Sequence, residues 1–215
     1  MIRIAIDGPA ASGKTTLGQA LAQRFDCLFV ETGRMYRAIA MGLDKGLELN
    51  EITIELGEGG RYFLNQVDVT DLLHTPDLDR KSSQVATDPQ VREKLVRVQR
   101  EIAKKQNVVM EGRDIGTVVL PDAQIKLFLC ADPLERAKRR ANQRNTADIA
   151  SVFSEIEKRD KRDQTRSVSP LNAARDALII DTDRKSLEDV ISEAVALVEE
   201  RLRYVDTPTN RSTQR

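Results

Sequence analysis

The sequence predicts an α/β sandwich: five parallel strands in one sheet, helices on both faces, and two excursions from that core. Three observations lead there. Five short apolar runs, at 2–6, 27–30, 108–110, 125–129 and 178–180, are nearly unbroken in aliphatic and β-branched residues, as strands covered on both faces should be. Helix-period patterns lie between them, and strands alternating with helices favour parallel pairing by crossover. The 215 residues, 40% hydrophobic and 32% charged, can core one domain beneath a heavily solvated surface.

Taken in order, the strand at 2–6 is followed by a helical pattern carrying Leu17, Ala20, Leu21 and Phe25, and then by the strand at 27–30. The first excursion, 32–84, is mixed in character, with Gly57, Gly59 and Gly60 and a hairpin expected around 63–69. Asp88-Pro89 supplies an N-cap followed by proline at the first helical position. The helix at 89–106 then lays Val91, Leu95, Val98 and Ile102 on one face. After the strands at 108–110 and 125–129, Asp132-Pro133-Leu134-Glu135 repeats the start signal with the spacing of a capping box. The second excursion, 136–166, carries ten Lys or Arg against five Asp or Glu. Ser186 to Asp189 opens a last helix running to about Leu202, and the polar end at 206–215 is expected to be disordered.

Thirty-four basic and 34 acidic residues cancel, and aromatics are few, which gives no reason to expect nucleic-acid binding. No stretch approaches the roughly 18 apolar residues of a membrane span, and the first ten residues lack a leader pattern, so a cytoplasmic protein is expected. Cys27 and Cys130 border strand runs and are expected to be buried thiols in a reducing compartment.

Gly8-Pro9-Ala10-Ala11-Ser12-Gly13-Lys14-Thr15 fits GxxxxGK[ST], directly after a strand and before a helix, the setting that gives the motif meaning. Such a P-loop turns successive N–H groups onto phosphate oxygens and adds the positive end of a helix. Lys14 would reach the β- and γ-phosphates of ATP, and the Thr15 hydroxyl would ligate Mg²⁺, with Thr16 beside them. The motif says nothing of the acceptor. A kinase for nucleoside monophosphates needs many arginines around one P-loop, to hold two polyanions side by side. It needs no strong base, since a phosphate monoester is largely ionised at neutral pH, its second pKa being about 6. Arg37, Arg113 and the 136–166 segment are the candidates.

Five segments sharpen this: IDGPAASGKTT at 6–16, ETGRMYRAIA at 31–40, SSQVA with VREKL within 82–95, EGRDIGTVVLPDA at 111–123, and KRDKRDQTRSVSPL at 158–171. With them the chain resembles the bacterial-type cytidylate kinase family over nearly all of 1–205. The resemblance implies an adenylate-kinase-like P-loop sandwich within a single kinase domain, 1–205. Its core would be 1–31, 85–135 and 167–205, its monophosphate-binding lobe 32–84 and its lid 136–166. It also implies that Thr32 lies near the acceptor, that Arg37 and Arg113 grip its phosphate, and that Ser83, Arg92 and Asp114 read the cytosine. Arg159, Asp163 and Arg166 would reach the sugar and the transferring phosphates, while Arg136, Arg139 and Arg140 would lie near ATP. Tyr36 joins the substrate-binding set, where packing suits it better than stacking on the base. The implied substrates are ATP with CMP or dCMP, and a monomer is expected.

The base readout also has a physical basis. Asp114 and the Ser83 hydroxyl can accept from the exocyclic amine of cytosine, whereas Arg92 only donates and suits N3 and O2. Uracil reverses both polarities, which predicts CMP and dCMP ahead of UMP. From the residues alone, Arg92 reads more readily as a surface arginine and Asp163 as a solvated i,i+4 partner, while Asp114 could equally cap the segment after it. His74, in a polar stretch, is expected at the surface. Glu111 stands where the family favours Asp, and Asn65-Gln66 replaces an Asn-Gly turn. The competing functions are a P-loop kinase for UMP, AMP or a small metabolite, and a non-kinase ATP switch. A GTPase is disfavoured, because the chain contains no N-K-x-D sequence.

Overall fold

The computed structural model describes residues 1–206, with the side chains of 204–206 left out. Five parallel strands form the main sheet: β1 (Arg3–Asp7), β2 (Leu28–Glu31), β6 (Val108–Gly112), β7 (Ile125–Cys130) and β8 (Leu178–Asp181), in the order β2-β6-β1-β7-β8. These are the five strands expected. Alternation within β1 divides the core: Ile4 and Ile6 face a layer of α1 (Lys14–Arg24) and α7 (Leu187–Asp206), packing with Leu17, Leu21, Val190, Ala194 and Val198. Ala5 faces the opposite layer, built on α2 (Thr32–Asp44) and α4 (Pro89–Lys105), with Met35, Ile39, Val91 and Leu95. Burial of two such faces is the main driving force for this architecture.

Between α2 and α4 lie a small antiparallel sheet, β3 (Ile54–Leu56), β4 (Tyr62–Leu64) and β5 (Val67–Asp68), and the helix α3 (Pro76–Val85). The β4–β5 hairpin closes on Asn65 and Gln66, both at positive φ (49° and 67°), so Gln66 takes the place usually left to glycine in a two-residue primed turn. After β7 come α5 (Pro133–Gln143) and α6 (Ile149–Thr165), joined by an apolar seam of Ala137, Ala141, Val152 and Ile156. Among the described residues no helix is long and apolar enough to cross a membrane.

Several local expectations need correction. Asp132 does cap α5 through Leu134 N–H, but no capping box forms: its own N–H donates to Asp183, and Glu135 pairs with Lys138. On α4, Asp88 caps Gln90 N–H as expected, yet Val98 and Ile102 are only half-buried, and Arg92, Gln99 and Ala103 fill the inner face instead. The last helix runs four residues past Leu202, to Asp206, and opens on a reciprocal Ser186–Asp189 cap. Cys27 and Cys130 are free, as expected, but each is half-buried rather than enclosed. Beyond Asp206, the tail expected at 206–215 lies outside the described residues.

Candidate active site

The carboxyl ends of β1, β2 and β6 meet the first turns of α1 and α2 at one cleft, the usual location for a ligand in an open parallel sheet. Local backbone demands explain the loop 8–13. A Cβ on Gly8 (φ 149°) would lie 2.3 Å from the Leu129 carbonyl oxygen, so only glycine passes. Gly13 (φ 94°) turns the chain into α1 in the left-handed region. Orphan N–H groups at the start of α1 are thereby presented at the cleft floor. The Ala10 N–H meets Asp160 at 3.4 Å and its carbonyl accepts from Arg136 at 3.2 Å, tying the loop to α5 and α6. Pro9 and Ala11 are half-buried, Ser12 is buried and Thr16 is exposed.

Lys14 is buried, and its Nζ donates to the Pro9 carbonyl at 2.7 Å and to Ser12 Oγ at 3.4 Å. Burial pushes its pKa down to about 7; Arg113 acts in the same direction and Glu111 opposes it. The Thr15 hydroxyl donates to Glu111 Oε1 at 2.9 Å, while Glu111 Oε2 is buried without a hydrogen-bond partner. Burial also pushes the Glu111 carboxyl up. A hydroxyl and an unsatisfied carboxylate oxygen are hard donors that fit Mg²⁺, which keeps several non-protein ligands. Sequence reasoning chose Thr15 alone; the signal for Glu111 was its place at the end of a central strand.

On the opposite flank, guanidinium and carboxylate groups alternate. Asp114, 4% exposed, pairs with Arg92 and, at 3.6 Å, with Arg166. Its side chain makes no cap for the π-helical turn at 115–119, which closes through the Asp114 carbonyl instead. Arg92 is 3% exposed and lies 5.8 Å from the Tyr36 ring centroid, so it is no surface arginine. Burial pushes the Tyr36 hydroxyl up to about 12. Asp163 is also buried: Arg113 Nε is 2.8 Å away and Arg159 Nε 3.9 Å, which excludes a solvated helix-face partner. Despite burial, those two guanidiniums hold the Asp163 carboxyl below the usual range. Burial, with Arg113 nearby, lowers Arg159 to about 9. Four buried nitrogens around the cleft, Arg37 Nε, Arg92 Nε, Arg159 Nε and Arg166 Nη2, lack any hydrogen-bond acceptor.

Thr32 donates its hydroxyl to the Glu111 carbonyl at 2.7 Å. Arg37 lies between Glu31 and Asp79, and Asp79 also pairs with Arg140 and, at 4.0 Å, with Arg144. The Ser83 hydroxyl lines the cleft and accepts from Arg162 at 2.9 Å, so one of its two lone pairs is already engaged. The three arginines grouped near ATP go to three places. Arg136 is buried against Asp160, Arg140 faces Asp79 in the cleft, and Arg139 leaves the cleft for the Thr182 hydroxyl and carbonyl at 2.8 and 2.7 Å. Sequence reasoning missed Glu31, Asp79, Asp160 and Arg162. Asp79 had a legible signal, standing one turn before Ser83 on a helix capped by Thr75 and started by Pro76. His74 is exposed, as expected.

A family model described as cytidylate kinase matches residues 4–200. The cytidylate kinase of Thermosipho melanesiensis is 43% identical over 212 residues, covering 93% of this chain and 97% of the relative. That of Carboxydothermus hydrogenoformans is 40% identical over 215 residues, covering 92% and 97%. Among solved structures, a shikimate kinase from Bacteroides thetaiotaomicron is similar at TM-score 0.51 and 18% identity, covering 92% of this chain and 98% of that one. A second, from Acinetobacter baumannii in complex with shikimate, gives 0.52 at 14%, covering 93% and 94%. At such identities the likeness concerns the fold alone.

Proposed function

This chain belongs to the cytidylate kinase family, and we propose that its cleft transfers the γ-phosphoryl group of ATP to CMP or dCMP by in-line displacement between two flanks of buried charge. The observation that carries the assignment is the set of four buried arginine nitrogens without acceptors around one P-loop. Buried donors left unmet cost stability, and a nucleotide monophosphate has the oxygens and ring acceptors to meet them.

On the donor flank, residues 8–16 cradle the phosphates of ATP, and Lys14 leaves the Pro9 carbonyl for the transferring phosphate. Thr15 and Glu111 would hold the Mg²⁺ that accompanies ATP, and the ion would neutralise charge on the phosphate oxygens. On the acceptor flank, Arg37 and Arg113 take the monophosphate, with Thr32 and Tyr36 shaping the wall. Asp114, Arg92 and Ser83 read the base. Ser83 accepts the exocyclic amine with its remaining lone pair, since Arg162 uses the other. Arg159, Asp163 and Arg166 reach the ribose and the phosphates in flight. We assign 32–84 as the monophosphate-binding lobe and 136–166 as the lid. The cleft offers a cavity of about 150 Å³, below the roughly 300 Å³ of a small-ligand site, and in this reading the Asp79 pairs to Arg37 and Arg140 part as the acceptor enters. Catalysis is then alignment and charge neutralisation with water shut out. We propose that the enzyme works in the cytoplasm as a monomer.

A coupled assay of the purified protein with ATP and each of CMP, dCMP, UMP and AMP tests this. Turnover should be greatest with CMP and dCMP; UMP turnover equal to CMP would overturn the base-reading assignment.

A further inference from the structure

Asp7 ends β1, is 3% exposed, and no lysine or arginine among the described residues pairs with it within 4 Å. Its two oxygens serve the backbone instead. Oδ1 accepts the Ile115 N–H at 2.8 Å and Oδ2 accepts the Gly116 N–H at 2.7 Å, across the neighbouring strand β6. Those amides open the π-helical turn directly after Arg113 and Asp114. The turn itself is closed by Val118 and Val119 N–H on the Asp114 carbonyl, at 2.9 and 3.2 Å. Asp114 is therefore fixed from both sides of its backbone, and its carboxylate is left for Arg92 and Arg166.

A buried carboxylate without an ion pair is costly to keep, and burial indeed pushes Asp7 up to about 6. Each carboxylate oxygen takes one of two successive N–H groups, and an asparagine would turn its NH₂ toward one of them. Asp114 and Lys14 are the charged groups that act on Asp7, one from the acceptor flank and one from the donor flank.

We propose that Asp7 is a positioning residue for acceptor recognition: its carboxylate clamps the turn that aims Asp114 at the base and Arg113 at the monophosphate. This rests on the acceptor assignment above, in which Asp114 touches the nucleotide. Asp7 touches neither substrate and acts through two amides.

The test is steady-state kinetics of Asp7→Asn beside Asp114→Ala in the full chain, with CMP, UMP and ATP varied in turn. Asp7→Asn should raise KM for CMP by about tenfold or more and narrow the CMP-over-UMP preference, while KM for ATP moves less than about twofold. A purely structural role would lower the melting temperature and kcat without splitting the two KM values. Gly116→Ala presses on the same contact from the other side, since its methyl would come within 3.2 Å of Lys126 Cδ and 3.4 Å of Asp7 Oδ2. It should shift KM for CMP in the same direction, and it decides the matter alone if Asp7→Asn does not fold. Asp114→Ala harming CMP use while Asp7→Asn and Gly116→Ala leave it intact would overturn the clamp. If Asp114→Ala itself leaves CMP use unchanged, the acceptor assignment falls, and the clamp with it.

Discussion

The two flanks of the cleft are built on opposite plans. The flank we assign to the donor is almost one continuous segment, 8–16, with backbone amides and one lysine at the cleft. The acceptor flank draws side chains from α2, α3, α4, the turn after β6, and α6, and nearly every arginine there already faces an acid. On the first, binding groups are fixed by chain geometry, and little must move. On the second, carboxylates stand beside the cations that we assign to the nucleotide. Substitutions should therefore act differently on the two sides: a loss of rate from the donor flank, a loss of recognition and of stability from the acceptor flank.

The largest effect tests that division first. Lys14→Ala removes the only lysine that lines the cleft among the described residues, and kcat should fall by about 10³-fold, with KM for CMP little changed. A proportional rise in KM for CMP would break the division. Next, Asp114→Ala leaves Arg92, 3% exposed, without its partner, and stability without ligand should drop by about 3–5 kcal/mol. The same change should raise KM for CMP far more than KM for ATP. Chemical denaturation and kinetics on the same preparation measure both; unchanged stability would mean that the pair carries no structural weight. Ser83→Ala is smaller: it removes the hydroxyl that accepts from Arg162 and that we assign to the base amine, for a loss of about 1 kcal/mol or roughly fivefold in kcat/KM for CMP. Equal loss with UMP would move Ser83 out of the base-reading set.

The same contrast explains what the sequence made legible. Strand runs and helix periods gave all five strands, because apolar burial on both faces leaves a local signature in 2–6 or 125–129. The P-loop was legible because its chemistry depends on spacing within one segment. The acceptor flank was not, since its pairs join residues 22, 50 and 61 positions apart. Resemblance supplied Arg92 and Asp114, where periodicity alone allowed a surface arginine. It did not supply Asp79 or Arg162, whose importance lies in partners brought near only by folding. Cap signals worked at Asp88 and failed in part at Asp132, because a distant acid, Asp183, offered that N–H a better acceptor.

Proton linkage gives the smallest and most selective measurement, since it reads the donor flank alone. Lys14 has a folded pKa of about 7, far below its ordinary 10.5, chiefly through burial. Between those two values the unfolded chain holds more protons than the folded one, so the penalty of burying this lysine is full below pH 7 and relaxes as pH rises toward 10.5. Phosphate oxygens replacing the Pro9 carbonyl favour the charged ammonium and return the pKa upward. ATP binding at about pH 8 should therefore take up a fraction of one proton, and at about pH 6, where Lys14 is already charged, almost none. Calorimetry in two buffers of different ionisation enthalpy, with metal chelated, reads that uptake directly. Repeating it with Glu111→Gln separates the lysine from the carboxyl beside Thr15: uptake that persists belongs to Lys14, and uptake that vanishes belongs to Glu111. CMP alone should produce a much smaller uptake at pH 8, because Arg159, lowered to about 9, is still mostly charged there.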